Sequence, residues 1–174
     1  MSTYRSRGFT LIELMVAITI IGILTAGSTI AFSNARARAR DAQRYAVLAQ
    51  MELALETYRQ VNGSYPNTNR EWRGLCPGRG GAGVTGPTGY VPDIAPTYIA
   101  KLPTDPAGLT NCSLYPDGYG YEYLSDGVDY KFFVHNSMDN KEKCDGATKI
   151  YWDPHPLRQT QKTCVIYSQG ASGW

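Results

Sequence analysis

The sequence is poor in the side chains that most catalysis needs. It has two histidines, His135 and His155, and no His-Glu-x-x-His pair on which a zinc hydrolase could be built. No serine lies in a Gly-x-Ser-x-Gly elbow, so a hydrolase of that type has no support. None of the four cysteines belongs to a Cys-x-x-Cys pair, which removes the usual zinc-ribbon and thioredoxin-type arrangements. No five like charges run together, and 17 basic against 15 acidic side chains leave a net charge of +2, so nucleic acid is not an expected partner. Phenylalanine is scarce as well, with 4 residues against 13 tyrosines. Tyrosine has an apolar ring and a polar tip, so this bias predicts a sheet with half-wet faces. Neither an enzyme nor a resident cofactor is expected.

The 174 residues suit one globular domain plus an appendage, and 43% hydrophobic with 18% charged residues excludes wholesale disorder. The appendage is at the start. Residues 1–8 are polar and basic, with Arg5 and Arg7 and no acid. From Phe9 to Phe32 a single ionisable side chain occurs, Glu13, and the 19 uncharged residues from Leu14 to Phe32 are enough to cross about 30 Å of hydrocarbon as a helix. A secretory signal cut near Thr25-Ala26-Gly27 and a plain transmembrane anchor would both show such a run. Glu13 weighs against both, because a carboxylate in an apolar segment costs a few kcal/mol unless it has a partner, and neither reading supplies one.

Gly8-Phe9-Thr10-Leu11-Ile12-Glu13-Leu14-Met15-Val16 resembles the class III signal of type IV pilins and type II secretion pseudopilins. The resemblance implies a structural subunit whose leader is cut by prepilin peptidase after Gly8. Phe9 would then be N-methylated, and Glu13, fifth in the mature chain, would guide assembly. It also implies a single-pass protein of the inner membrane, bound to lipid and to an assembly platform there. The subunit then polymerises with copies of itself into a periplasmic or extracellular filament. A membrane-anchored binding protein that never polymerises is the alternative. Cutting before the apolar run keeps the helix in the product and removes Arg5 and Arg7, so 17 − 2 = 15 basic side chains meet 15 acidic ones. Neutral subunits repel one another little when stacked. Arg36, Arg38, Arg40 and Arg44 follow the run and leave the positive-inside rule undecided. The cytoplasmic placement of the leader therefore rests on the resemblance.

Four parts are expected: a leader at 1–8, a transmembrane and filament-core helix at 9–33, an amphipathic half at 34–62 and a globular domain at 63–174. A continuous helix from Phe9 to about Val61 would be about 80 Å long. In its second half Arg36, Arg40 and Arg44 form a basic stripe, either solvated or facing acids of neighbouring subunits. Leu48, Leu55 and Tyr58, with Met51 and Ala54 nearby, form an opposing apolar face. Asn62-Gly63 supplies the stop, and Pro66 prevents early resumption. Asn62-Gly63-Ser64-Tyr65-Pro66 and Leu102-Pro103-Thr104-Asp105-Pro106 resemble short pseudopilin elements in the same order.

Seven glycines in the 16 residues Gly74–Gly89 predict a flexible surface loop stapled by Cys76. Gly78, Gly80 and Gly83 spell Gly-x-Gly-x-x-Gly, but no strand precedes them and no helix follows, so they mark no dinucleotide site. Beyond, Tyr119–Ser125 and Val128–His135 flank Asp126-Gly127 as a hairpin with a two-residue turn. Val128, Tyr130, Phe132 and Val134 alternate as the face toward the helix. Further strands are expected at Lys149–Trp152 and Thr163–Ser168. A long helix followed by antiparallel strands is an α+β, pilin-like fold.

Cys76, Cys112, Cys144 and Cys164 are even in number in an exported domain, which predicts two disulfides. Three connectivities are open; neighbour pairing, Cys76–Cys112 and Cys144–Cys164, is the one we expect. The second would close a loop of about 20 residues, worth about 3 kcal/mol. The resemblance raises calcium too, because major pseudopilins hold it with Ser, Asp and backbone oxygens in a loop after the sheet begins. Ser137, Asp139 and Asp145 are candidate ligands here. Their spacing departs from the family's and Cys144 stands where an acidic stretch is expected, so a polar turn closed by a disulfide is the weightier reading.

Overall fold

The computed structural model describes residues 8–108, 119–139, 144, 149–154 and 163–174, leaving aside the side chains of 26–30. The chain divides into two compact units, Met1–Ala37 and Arg38–Trp174. One helix, α1 (Leu11–Asn62), runs through both.

In the first unit every described side chain from Gly8 to Thr25 is exposed, including Phe9, Leu11, Ile12, Leu14 and Met15. The helix begins at Leu11, two residues later than expected, because Thr10 is its N-cap. Thr19 and Thr25 return their hydroxyl protons to the carbonyls of Met15 and Ile21, so neither presents an open donor in an apolar setting. Arg36 lies over the Phe32 ring, 4.4 Å from its centroid. Among the described residues no helix is long and apolar enough to cross a membrane. The side chains of 26–30, inside the 19-residue run on which a span at 9–33 was expected, lie outside the described residues, while Phe32 beyond them is exposed.

The second unit holds the core. Leu48, Met51 and Leu55 are fully buried, and Ala54 joins them. Their 48-51-55 spacing keeps them on one stripe of α1. The helix stops at Gly63, whose φ of 77° is the left-handed conformation that glycine adopts without strain, and its N–H caps the Arg59 carbonyl at 2.8 Å.

Among the described residues five antiparallel strands follow: β1 (Arg73–Gly74), β2 (Gly120–Ser125), β3 (Tyr130–His135), β4 (Tyr151–Trp152) and β5 (Cys164–Tyr167), in spatial order β1-β2-β3-β5-β4. Tyr121 pairs with Val134 and Tyr123 with Phe132, while Ile166 lies opposite Phe132. These residues belong to one cluster with the helix stripe. Fully burying a side chain of this size stabilises by about 1.5–3 kcal/mol, so this cluster holds the unit together.

Several expectations are corrected. The sheet is not half wet. Glu122, Lys131, Phe133 and His135, on its far face, are all buried. Trp72 meets the Phe133 ring edge-on, and Lys131 Nζ donates to Asp153 Oδ1 at 2.9 Å and to the Trp174 carbonyl at 2.7 Å. Val128 is exposed, not on the core face. The turn spans Asp126–Asp129, not two residues, because the Asp126 carboxylate accepts the N–H groups of Val128 and Asp129 and delays the strand to Tyr130. The glycine-rich segment is tied down. Its amides bond from Ala82 to Gly74, from Gly83 to Thr88 and from Tyr90 to Gly83, and it delivers Tyr90, Val91 and Ile94 into the core.

Candidate functional site

The motif at the start of α1 closes on itself. Glu13 Oε2 accepts the Thr10 backbone N–H at 2.9 Å and the Thr10 hydroxyl at 2.8 Å. Thr10 Oγ1 in turn accepts the Glu13 N–H at 3.4 Å. This is a capping box, in which the Thr-x-x-Glu spacing satisfies two amides that the first helical turn leaves open. The cost assigned to an unpartnered Glu13 is therefore partly met inside its own chain. The Thr-x-x-Glu signal for it stands in the sequence, although Glu13 was weighed there only as a charge. Phe9 is exposed directly before this turn, and beside Gly8 nothing among the described residues lies within 4 Å of where a side chain would begin. That openness suits access by a peptidase.

In the globular unit, Cys144 and Cys164 are joined by a disulfide with Cα atoms 5.8 Å apart. Cys76 is also disulfide-bonded, while its expected partner Cys112 lies outside the described residues. Cys164 sits on the core face of β5, so the bridge pins the segment after β3 to the sheet.

A charged cluster that sequence reasoning missed lies beside it. Arg44 is fully buried, so neither reading of the basic stripe holds for it, while Arg36 is exposed and Arg40 partly so. Positions 44, 48, 51 and 55 follow the helical repeat, so Arg44 belongs to the core-facing stripe and not to one opposing it. Its guanidinium donates to both Asp105 oxygens at 2.8 Å, to Asp41 Oδ1 at 2.8 Å and to Asp139 Oδ2 at 2.8 Å. Arg40 forks onto Asp139 with two bonds of 2.9 Å. Burial pulls the Arg44 pKa down, but the bonds from Asp105, Asp139 and Asp41 outweigh it and raise it. Hydrogen bonds from Arg40 and then Arg44 hold the Asp139 carboxyl below its ordinary range against burial. The cluster ties α1 to Asp105 of the Leu-Pro-x-Asp-Pro element and to the turn after β3.

No catalytic arrangement emerges among the described residues. His135 Nδ1 lies 3.1 Å from Glu122 Oε1, buried behind the sheet, and His155 lies outside the described residues. No group of three or more His, Cys, Asp or Glu side chains is placed to hold a metal among the described residues.

Residues 3–29 match the family model of the prokaryotic N-terminal methylation motif. The chain is 31% identical over 145 residues to a type II secretion system core protein G of Escherichia coli K12, which covers 80% of this chain and 93% of the relative. The chain belongs to the type II secretion pseudopilin family. Further relatives of the same description occur in Pectobacterium carotovorum, at 33% identity over 68% of this chain and 73% of the relative, and in Pseudomonas aeruginosa, at 29% over 82% and 90%. No solved structure matches.

In this pseudopilin the processing motif and the arginine cluster are both built on α1, the first in the Met1–Ala37 unit and the second in the Arg38–Trp174 unit. Of the candidate calcium ligands, Ser137 and Asp139 follow β3, and Asp145 lies outside the described residues.

Proposed function

We propose that this chain is a structural subunit of a type II secretion pseudopilus, or of a type IV pilus-like filament of the same design. It is made as a precursor, cut by prepilin peptidase after Gly8 and N-methylated at Phe9. It waits in the inner membrane as a single-pass protein surrounded by lipid. At the assembly platform it joins copies of itself through the N-terminal helix and passes into a periplasmic or extracellular filament.

The observation that carries this reading is the run of exposed apolar side chains made by Phe9 and by α1 from Leu11 to Leu24, on a chain whose relatives are core pseudopilins. A helix apolar all round is stable only in lipid or among other helices, and a subunit that moves from one to the other uses both. Cleavage places a cation on Phe9 within a turn of Glu13. An incoming subunit can then exchange the capping bonds of Glu13 for a buried charge pair, which specifies register more reliably than it adds stability. The anchored, non-polymerising binding protein is not favoured by these relatives. Nothing in the described geometry calls for catalysis.

The deciding experiment is N-terminal mass analysis of the chain from its native host, together with electron microscopy of sheared surface or periplasmic material. The expected product starts at methylated Phe9 and is the main band of a filament. A product that starts at Met1, or near Ser28, sinks the proposal.

A further inference from the structure

The family implies calcium in the loop after the sheet begins, and the residues present can be tested for it. Calcium needs oxygen lone pairs that converge and are not already spent. Asp139 Oδ1 accepts Arg40 Nη2 at 2.9 Å, and its Oδ2 accepts Arg40 Nε at 2.9 Å and Arg44 Nη1 at 2.8 Å. The backbone N–H of Asp139 donates to Asp41 Oδ1 at 2.9 Å, so an amide also faces the helix there. Ser137 Oγ donates to the His135 carbonyl at 2.7 Å and accepts the Gly120 N–H at 3.1 Å. A dication brought to Asp139 would meet two guanidinium cations on the oxygens it needs. Of the candidate ligands, the two that are described, Ser137 and Asp139, do not fit.

We infer that Arg40 and Arg44 do in this chain what a metal would do: they hold the turn after β3 against α1, and the fold does not depend on calcium. Both ions and guanidiniums can neutralise a carboxylate, but the arginines are covalent parts of the helix. Arg44 adds a tie that calcium at this turn would not make, because the same guanidinium grips both oxygens of buried Asp105. Helix, Leu-Pro-x-Asp-Pro element and turn are joined whatever the free cation concentration outside the cell. This inference rests on family membership and not on polymerisation, so a test on dispersed subunits leaves the filament proposal untouched if it fails.

The test uses the full chain purified in detergent, unfolded by heat and followed by near-ultraviolet circular dichroism. The midpoint is expected to be the same in EDTA and in millimolar calcium chloride. Asp139→Asn is expected to lower it by at least about 4 °C equally in both. A rise of that size on adding calcium, in either protein, overturns the inference, and so does an Asp139→Asn midpoint equal to wild type. If the variant does not fold, calorimetric titration of the wild-type chain with calcium chloride decides alone. No saturable heat is expected, and a one-to-one isotherm overturns the inference.

Discussion

Glu13 carries a hydrogen-bonding role and a charge at once, and the two separate by substitution. Glu13→Gln keeps an oxygen that can accept the Thr10 N–H and hydroxyl, the bonds of 2.9 and 2.8 Å that close the capping box, but removes the charge. Glu13→Leu removes both. Loss of such a cap costs about 1 kcal/mol of helix stability, whereas a carboxylate in the apolar segment costs about 2.5–3.5 kcal/mol. Both variants should therefore enter the membrane at least as well as wild type. Assembly answers to another quantity. If the Phe9 amine of one subunit meets Glu13 of its neighbour, removing one partner of the desolvated pair costs about 3–5 kcal/mol per contact. A loss of that size is at least a hundredfold in association, at about 1.4 kcal/mol per factor of ten. Each variant is expressed in the native host, and membrane and sheared-filament fractions are compared by immunoblot, with N-terminal mass analysis to check cleavage. Both are expected to be cut after Gly8, to fill the membrane fraction and to leave almost no filament. Normal filament from Glu13→Gln with none from Glu13→Leu would refute the charge argument and leave the cap as the determinant.

Arg44→Met should destabilise the globular unit by about 3–5 kcal/mol in urea unfolding, because it takes the guanidinium away from the buried carboxylates of Asp41 and Asp105; a loss under about 1 kcal/mol would show the cluster to be dispensable. Tyr121→Phe should be neutral or stabilising by up to about 1 kcal/mol by the same measure, since its hydroxyl is buried with no hydrogen-bond partner among the described residues. Cys144→Ser should cost about 2–4 kcal/mol through the 20-residue separation that the bridge closes, while membrane insertion, followed by fractionation, stays unchanged. The Asp139 carboxyl is held low by Arg40 and Arg44, so it contributes stability that is complete above the ordinary carboxylate value of about 3.9 and is lost as pH falls below it. Acid titration of unfolding should show that limb, and Asp139→Asn should flatten it.

The long helix was legible because its apolar and alanine-rich pattern runs unbroken to an Asn-Gly stop, and α1 ends at Asn62 as that signal requires. The hairpin was legible from alternation, which puts Tyr130, Phe132 and Val134 on the core face. Alternation says nothing about what covers the other face. Lys131 reads as a solvent residue until the Trp174 carbonyl and Asp153 are seen to close over it. Arg44 failed for a related reason. A guanidinium is assigned to water unless its acids are known, and Asp105 and Asp139 lie 61 and 95 residues away in sequence. The N-terminal methylation motif is local and needs no tertiary information, and the Thr-x-x-Glu capping box inside it is a local signal of the same kind.

Among the described residues both outer strands of the sheet are two residues long, Arg73–Gly74 on one side and Tyr151–Trp152 on the other. Subunits crowded at the density of a polymer bring such edges together constantly, and a long bare edge there would recruit neighbours by backbone pairing. Two-residue edges give that reaction almost no template. Stacking through helices is thus kept apart from cross-β aggregation, and a subunit placed in the wrong register can be released instead of being zipped in place.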